Sequence, residues 1–246
     1  MKTRMRKRKR KRRKRNKTTS LLHPGLHRGF FTGGIMEKLA IFDVDFTITS
    51  KETLIEFYRF IVGKHPEKIA RLPQAAASGL FYKLRIHDEK AAKEMFLKYL
   101  TSFSEAEIRM LSKEFYEKVL LGILYRDGLD KIKELKAKGL RVILNSASPE
   151  FYLDQLYGIE GVDKVIGTRF LFENGRFPSK MVGLNNKGEE KVRRLYEYLD
   201  KEEIDLEGSY MFSDSMSDEP LLKLVGRPYL INYKRKDPKY PVLNWR

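Results

Sequence analysis

The chain has 246 residues, four histidines, no cysteine and a formal net charge of +17. That length holds one large domain, or a core with an inserted subdomain. The lack of cysteine excludes disulfides, a thiolate nucleophile and Cys-ligated metal, and leans towards a cytoplasmic protein. His23, His27, His65 and His87 are scattered, so any metal is expected on oxygen ligands. No apolar run approaches the length of a membrane span, so no transmembrane segment is expected.

The charge is uneven. Residues 1–36 carry 14 Lys/Arg and no acid, which leaves 36 basic against 33 acidic residues, or +3, for the rest. Residues 2–17 are a low-complexity, self-repelling basic run, expected to be disordered in isolation. Three readings of this tail stay open. It can bind nucleic acid or another polyanion through counterion release. It can bind an anionic membrane surface, where each Lys/Arg adds about 1 kcal/mol. Or translation starts at Met36, just ahead of the first strand, and residues 1–35 are not native. Leu21-Leu22 and Phe30-Phe31 are too short and interrupted for a secretory signal.

Residues 38–42 read as a buried strand that runs into Asp43 and Asp45. Residues 51–62 have helical spacing through Leu54, Phe57, Tyr58 and Ile61. From 66 to about 125 the pattern stays helical. Ala91, Met95, Phe96, Tyr99 and Leu100 form one apolar stripe, and Ile108, Leu111, Phe115 and Val119 another. Ser104 followed by Glu105 and Glu107 marks a helix start.

Alternation then resumes. Helix 128–138 leads to strand 140–144, short helix 149–157 and strand 164–168. A hairpin over 169–177 turns at Asn174-Gly175. Helix 188–199, strand 209–212, helix 219–224 and strand 228–231 complete the chain. This order predicts an α/β fold: a doubly wound, parallel, Rossmann-like sheet with an inserted α-helical cap. The core would comprise residues 37–50 and 126–246, and the cap residues 51–125.

Each predicted strand delivers polar residues at its carboxyl end, where open α/β sheets bind ligands. The first gives Asp43 and Asp45, which repel each other unless a cation or proton is shared. The second gives Ser146 in Asn145-Ser-Ala-Ser-Pro149, and the fourth gives Asp214 and Asp218 in Ser213-Asp-Ser-Met-Ser-Asp218. Covalent phosphoryl transfer fits this set. A carboxylate attacks a phosphomonoester, Mg²⁺ on one or two carboxylates neutralises charge, and a general acid protonates the leaving oxygen. Asp43 and Asp214 could ligate metal, Asp45 could move the proton, Ser146 could donate to phosphate, and a lysine in Lys187–Lys191 could be the cation. Singly, each has a plain alternative: Ser148 as a helix cap with Pro149 in the first turn, Asp218 as a cap, Lys191 on a solvated face.

Together these motifs resemble the haloacid dehalogenase superfamily, in its phosphoserine-phosphatase-like branch (subfamily IB) with a helical cap. Asp43-Val-Asp-Phe-Thr47 is similar to its Asp-x-Asp-x-Thr loop, and Val142–Ser146 to its apolar strand ending in Ser/Thr. Lys191 is similar to its phosphate-stabilising lysine, and Asp214 to Asp218 to its Asp-x-x-x-Asp motif. The resemblance covers residues 37–246. It implies a phosphatase with Asp43 as nucleophile, Asp45 as acid and base, and Mg²⁺ on the Asp43 carboxylate, the Asp45 carbonyl and Asp214. Asp218 would be a supporting acid, and Ser146, Ala147 and Lys191 would hold the phosphoryl group of a small phosphorylated substrate. Glu52 falls where phosphoserine phosphatases place an acid that meets the substrate amine. Ser146-Ala-Ser-Pro149 instead resembles the branch that includes phosphatidylglycerophosphate phosphatases. A phosphotransferase on the same fold, or polyanion binding through the tail, are the alternative functions.

Overall fold

All four residues of β1 (Leu39–Phe42) are fully buried. A strand with no solvent face belongs in the interior of a parallel sheet covered on both sides. Leu39 and Ile41 enter the apolar cluster on one face, whereas Ala40 and Phe42 enter the cluster on the other. The structure, a computed structural model, describes residues 36–246 except 72, 74–76, 78, 80–87, 201–202 and 237. The basic tail and its three readings lie outside the described residues.

Around β1 stand β2 (Arg141–Pro149), β3 (Lys164–Thr168), β4 (Tyr210–Ser213), β5 (Arg227–Ile231) and β6 (Val242–Leu243). The order is β3-β2-β1-β4-β5-β6, and every adjacent pair is parallel. Chain order reverses at β1, so the crevice of this doubly wound sheet opens beyond the carboxyl ends of β1, β2 and β4. That is the predicted fold.

Between β1 and β2 the described residues are largely helical: α1 (Thr53–Lys64), a 3₁₀ segment Pro66–Arg71, α2 (Glu89–Phe96), α3 (Glu105–Phe115) and α4 (Arg126–Ala137). Ser104 and Glu107 form the expected capping box at the start of α3. Phe57, Phe115 and Tyr152 lie in the cluster that also contains Phe42, Phe212 and Trp245. The other cluster is supplied by α6 (Glu189–Leu199), through Leu195 and Leu199, and α7 (Glu219–Leu224), through Leu221 and Leu222. Residues 36–246 form one compact unit, and no described helix is long and apolar enough to cross a membrane.

Several local expectations need correction. β2 does not stop at Leu144 but continues to Pro149, because Asn145 to Pro149 stays paired to β3 across a register shift. The helix that follows is one turn, α5 (Glu150–Leu153), before the chain tightens into a 3₁₀ segment, Asp154–Gly158. Pro149, not Ser148, occupies its cap position. α2 likewise gives way to a 3₁₀ turn at Leu97–Leu100, which rotates the expected stripe. Leu97, Tyr99 and Leu100 are buried, and Ala91, Met95 and Phe96 are half-buried. The two-residue β6 was not expected; Asn232 seals it by exchanging hydrogen bonds with the Trp245 backbone.

The hairpin is present, with Asn174 and Gly175 both at positive φ (51° and 70°) as a tight two-residue turn requires. Its arms pair irregularly as far as Met181. The Glu105 amide donates to the Gly175 carbonyl (2.7 Å), and the Met181 amide to the Glu94 carboxylate (2.9 Å). The hairpin thus joins both α2 and the start of α3.

Candidate active site

β1 ends where the Asp43 amide donates to the Phe212 carbonyl (2.9 Å), so Asp43 continues the ladder and its carboxylate enters the crevice. Lys191, in the first turn of α6, is 2% exposed and bridges Asp43 Oδ1 (2.7 Å) and Asp218 Oδ2 (2.6 Å). It lies on no solvated face. Gly188, at φ 57° and ψ −125°, turns the chain into this helix in a region that favours glycine. The Asn145 side chain then holds the Lys191 carbonyl (3.1 Å). Asp218 makes no side-chain cap; its Oδ2 also accepts from Ser213 Oγ (2.9 Å). Asp214 is placed beside them by its amide, which donates to Thr47 Oγ1 (2.9 Å).

The charge here is unbalanced. Asp45, Asp214 and Asp218 all act on Asp43 across the crevice, with the Lys191 ammonium between Asp43 and Asp218. Burial, with Asp218, Asp45 and Asp214, pushes Asp43 up to about 8 against the pull of Lys191. Burial and Asp218 push Asp214 up to about 6. Burial alone would lower Lys191, but Asp218 and Asp43 hold it above its ordinary value. Asp218 Oδ1 is buried without a hydrogen-bond partner. A further cation fits this deficit. Among the described residues no three His, Cys, Asp or Glu side chains gather into a metal cage. One or two carboxylates completed by water and phosphate oxygens is the arrangement Mg²⁺ favours.

Asp45 has different neighbours. Its Oδ1 accepts from the Thr53 amide and hydroxyl (both 2.6 Å), and its Oδ2 from Ser148 Oγ (2.7 Å) and, at 3.3 Å, Ser146 Oγ. The Tyr152 hydroxyl backs Thr53 Oγ1 at 3.1 Å. No motif in the sequence singles out Thr53, and for Ser148 the sequence offers only the alternative of a helix cap. The available signal was that Thr53 opens the first helix after the aspartates and that Ser148 is the second hydroxyl of Ser-Ala-Ser. Ser146 is fully buried, with its carbonyl fixed by Asn186 Nδ2 (2.8 Å). Ala147 follows it in the irregular end of β2.

Glu52 stands apart from Asp43, Asp214 and Asp218. With Leu54, Glu89, Lys93, Phe96 and Ala147 it lines a cavity of about 360 Å³ between α2 and the strand ends. Desolvation and Asp45 raise its pKa, and Lys93 opposes them. Lys93, absent from the sequence reading, donates to the Ala147 carbonyl (2.7 Å) and Asn185 Oδ1 (2.6 Å). A cleft of about 690 Å³ on the other side includes Asp214, Phe46 and Tyr125 in its wall.

The family model of haloacid dehalogenase-like hydrolases matches residues 40–223, which include every one of these groups. The chain belongs to this family. It is a hydrolase, and several of its relatives are named as phosphatases. A histidinol-phosphatase of Neisseria meningitidis is 25% identical over 86% of this chain and 100% of the relative. A phosphoserine phosphatase of Mycobacterium tuberculosis is 26% identical over 78% of this chain and 64% of the relative. Among solved structures, a Bordetella pertussis protein of unknown function superposes with a TM-score of 0.75 at 24% identity, over 85% of this chain and 98% of that one. A phospho-aspartyl intermediate analogue of phosphoserine phosphatase gives 0.56 at 21% identity, over 81% and 88%. These two likenesses show the shared fold.

Proposed function

We propose that this phosphatase hydrolyses a small phosphomonoester through an aspartyl-phosphate on Asp43. The observation that carries the reading is the contrast between the two neighbouring aspartates. Asp43 faces Lys191 and the other carboxylates, whereas Asp45 is held by Thr53 and Ser148. The Asp43 carboxylate attacks phosphorus while the Ser146 hydroxyl and Lys191 hold phosphoryl oxygens. The bond to the leaving alcohol breaks, and Asp45, which enters this step as the carboxylic acid, gives that oxygen its proton. Asp45, now anionic, accepts a proton from the water that attacks the aspartyl-phosphate, releasing inorganic phosphate and restoring Asp43.

Mg²⁺ held by the Asp43 carboxylate, the Asp45 carbonyl and Asp214 would supply charge neutralisation for the incoming phosphate. Asp218 would support this by fixing Lys191, and its unpaired Oδ1 adds negative charge that a cation would offset. Residues 51–125 act as the cap, and the cavity at Glu52 receives the leaving group.

Phosphoserine and histidinol phosphate, the compounds named by the two relatives, both carry an ammonium next to the phosphorylated carbon. Glu52, near Asp45 at the cavity wall, suits such an ammonium. A screen of phosphorylated amino alcohols, with a lysophospholipid phosphate included, tests the substrate class. Phosphate release confined to the lipid would overturn the Glu52 assignment. An added alcohol that diverts phosphate from water would identify a phosphotransferase instead.

A further inference from the structure

We infer that Lys93 is a positioning residue: from α2 it fixes the peptide between Ala147 and Ser148, and through that peptide it aims the Ser146 hydroxyl at the phosphoryl group. This rests on the phosphatase reading for its chemistry, and on the following geometry for its assignment. The Ala147 carbonyl accepts from Lys93 Nζ (2.7 Å) and from Thr168 Oγ1 (2.5 Å). The N–H of the same peptide, at Ser148, donates to Ser146 Oγ (3.0 Å). A hydroxyl that accepts on a lone pair keeps its single proton to give. Ser146 Oγ is therefore held as a donor, turned towards the crevice where Asp45 Oδ2 lies 3.3 Å away. Ser148 adds its own hydroxyl to the same oxygen (2.7 Å). One peptide thus bears on both the phosphate donor and the proton carrier, and a residue 54 positions away in the helical segment holds it.

Lys93 is suited to this because it is anchored twice. Its second bond, to Asn185 Oδ1 (2.6 Å), reaches a side chain that in turn donates to Glu89 Oε2 (3.0 Å). An ammonium has three donors in all. Asp45, Glu89 and Glu52 face it with opposite charge and Lys187 with like charge, while burial pulls its pKa down to about 8. The ammonium therefore gives way to the neutral amine, a weaker donor, as pH rises past that point.

The test uses the full chain with Mg²⁺, p-nitrophenyl phosphate as a substrate with little use for the leaving-group cavity, and inorganic phosphate as a bound probe followed by calorimetry. Lys93→Met is expected to lower kcat roughly tenfold to a hundredfold, the size of effect that slight misplacement of a reacting group produces, and to weaken phosphate binding. Lys90→Met, in the same helix but bonded to the Gly183 carbonyl, should change neither. Lys93→Arg should recover part of kcat, and the fall in activity as pH rises through about 8 should move upward in that variant. If Lys93→Met leaves kcat and phosphate affinity intact, with KM alone raised, the inference is wrong and Lys93 merely touches the leaving group. If Lys93→Met does not fold, an unmoved high-pH limb in Lys93→Arg overturns it. Failure of the unaltered chain to hydrolyse any phosphomonoester would overturn the phosphatase reading instead, and the phosphate-binding comparison would still decide the role of Lys93.

Discussion

Asp43 and Asp45 are two residues apart, identical in chemistry, and live in opposite surroundings. Around Asp43 the neighbours are charged: Lys191 bonded to it, with Asp214 and Asp218 close by. Around Asp45 the bonded neighbours are neutral donors, two hydroxyls and one amide within 2.7 Å. The first environment penalises a carboxylate until another cation arrives, and the second satisfies one by directed hydrogen bonds. Environment, not residue type, can divide labour between two acids, one for covalent attack and one for proton transfer.

The most severe way to break this contrast is Asp43→Asn. Phosphate release should fall by roughly a thousandfold or more, because the nucleophile itself is gone. The same variant should raise the Tm of the metal-free protein at pH 8, since it removes a buried charge that lacks full compensation. Full activity in this variant would sink the mechanism.

Removing Mg²⁺ with a chelator should come next in effect, taking activity to baseline and exposing a pH dependence. Asp43 and Asp214 have folded pKa values raised to about 8 and about 6. The folded state therefore keeps protons that the unfolded chain has already released above about pH 4. Their contribution is favourable below that point and is lost as pH rises towards 8. The metal-free Tm should fall between pH 5 and 8, and Mg²⁺ should restore it. A metal-free Tm that rises across that window would contradict the charge imbalance.

On the Asp45 side the expected effects are smaller. Ser148→Ala removes one donor to a carboxylate, and kcat should drop roughly tenfold to a hundredfold, in line with about 1.5–3 kcal/mol for a hydrogen bond to a charged group. Thr53→Val tests the other oxygen in the same way. Glu52→Gln should act more weakly still and selectively, raising KM for an amino-alcohol phosphate about tenfold while p-nitrophenyl phosphate is hydrolysed as before. Equal losses on both substrates would move Glu52 from recognition to catalysis.

The strands and the carboxylates were legible because each rests on a local signal. A run such as Leu39–Phe42 is apolar on both faces, and acids at strand ends converge by topology alone. The chemistry called for a lysine in Lys187–Lys191, and only the resemblance singled out Lys191, since one lysine among many on an amphipathic helix carries no mark of burial. Thr53, Ser148 and Lys93 were not legible because their roles depend on side-chain direction across long sequence separations, as with Ser148 and Asp45, 103 residues apart. The extension of β2 to Pro149 escaped notice for a related reason. Asn145-Ser-Ala-Ser has no strand propensity of its own, and its extended form is imposed by pairing with β3.

The hairpin after β3 has a consequence for how the molecule can be watched at work. Its turn and outer arm are tied to the helical segment through the amides of Glu105 and Met181. Any excursion of that segment away from the sheet has to break these bonds or drag the hairpin along. Hydrogen exchange at those two amides therefore tells the two apart without a label: it quickens if the helical segment leaves the hairpin and stays slow if both move as one.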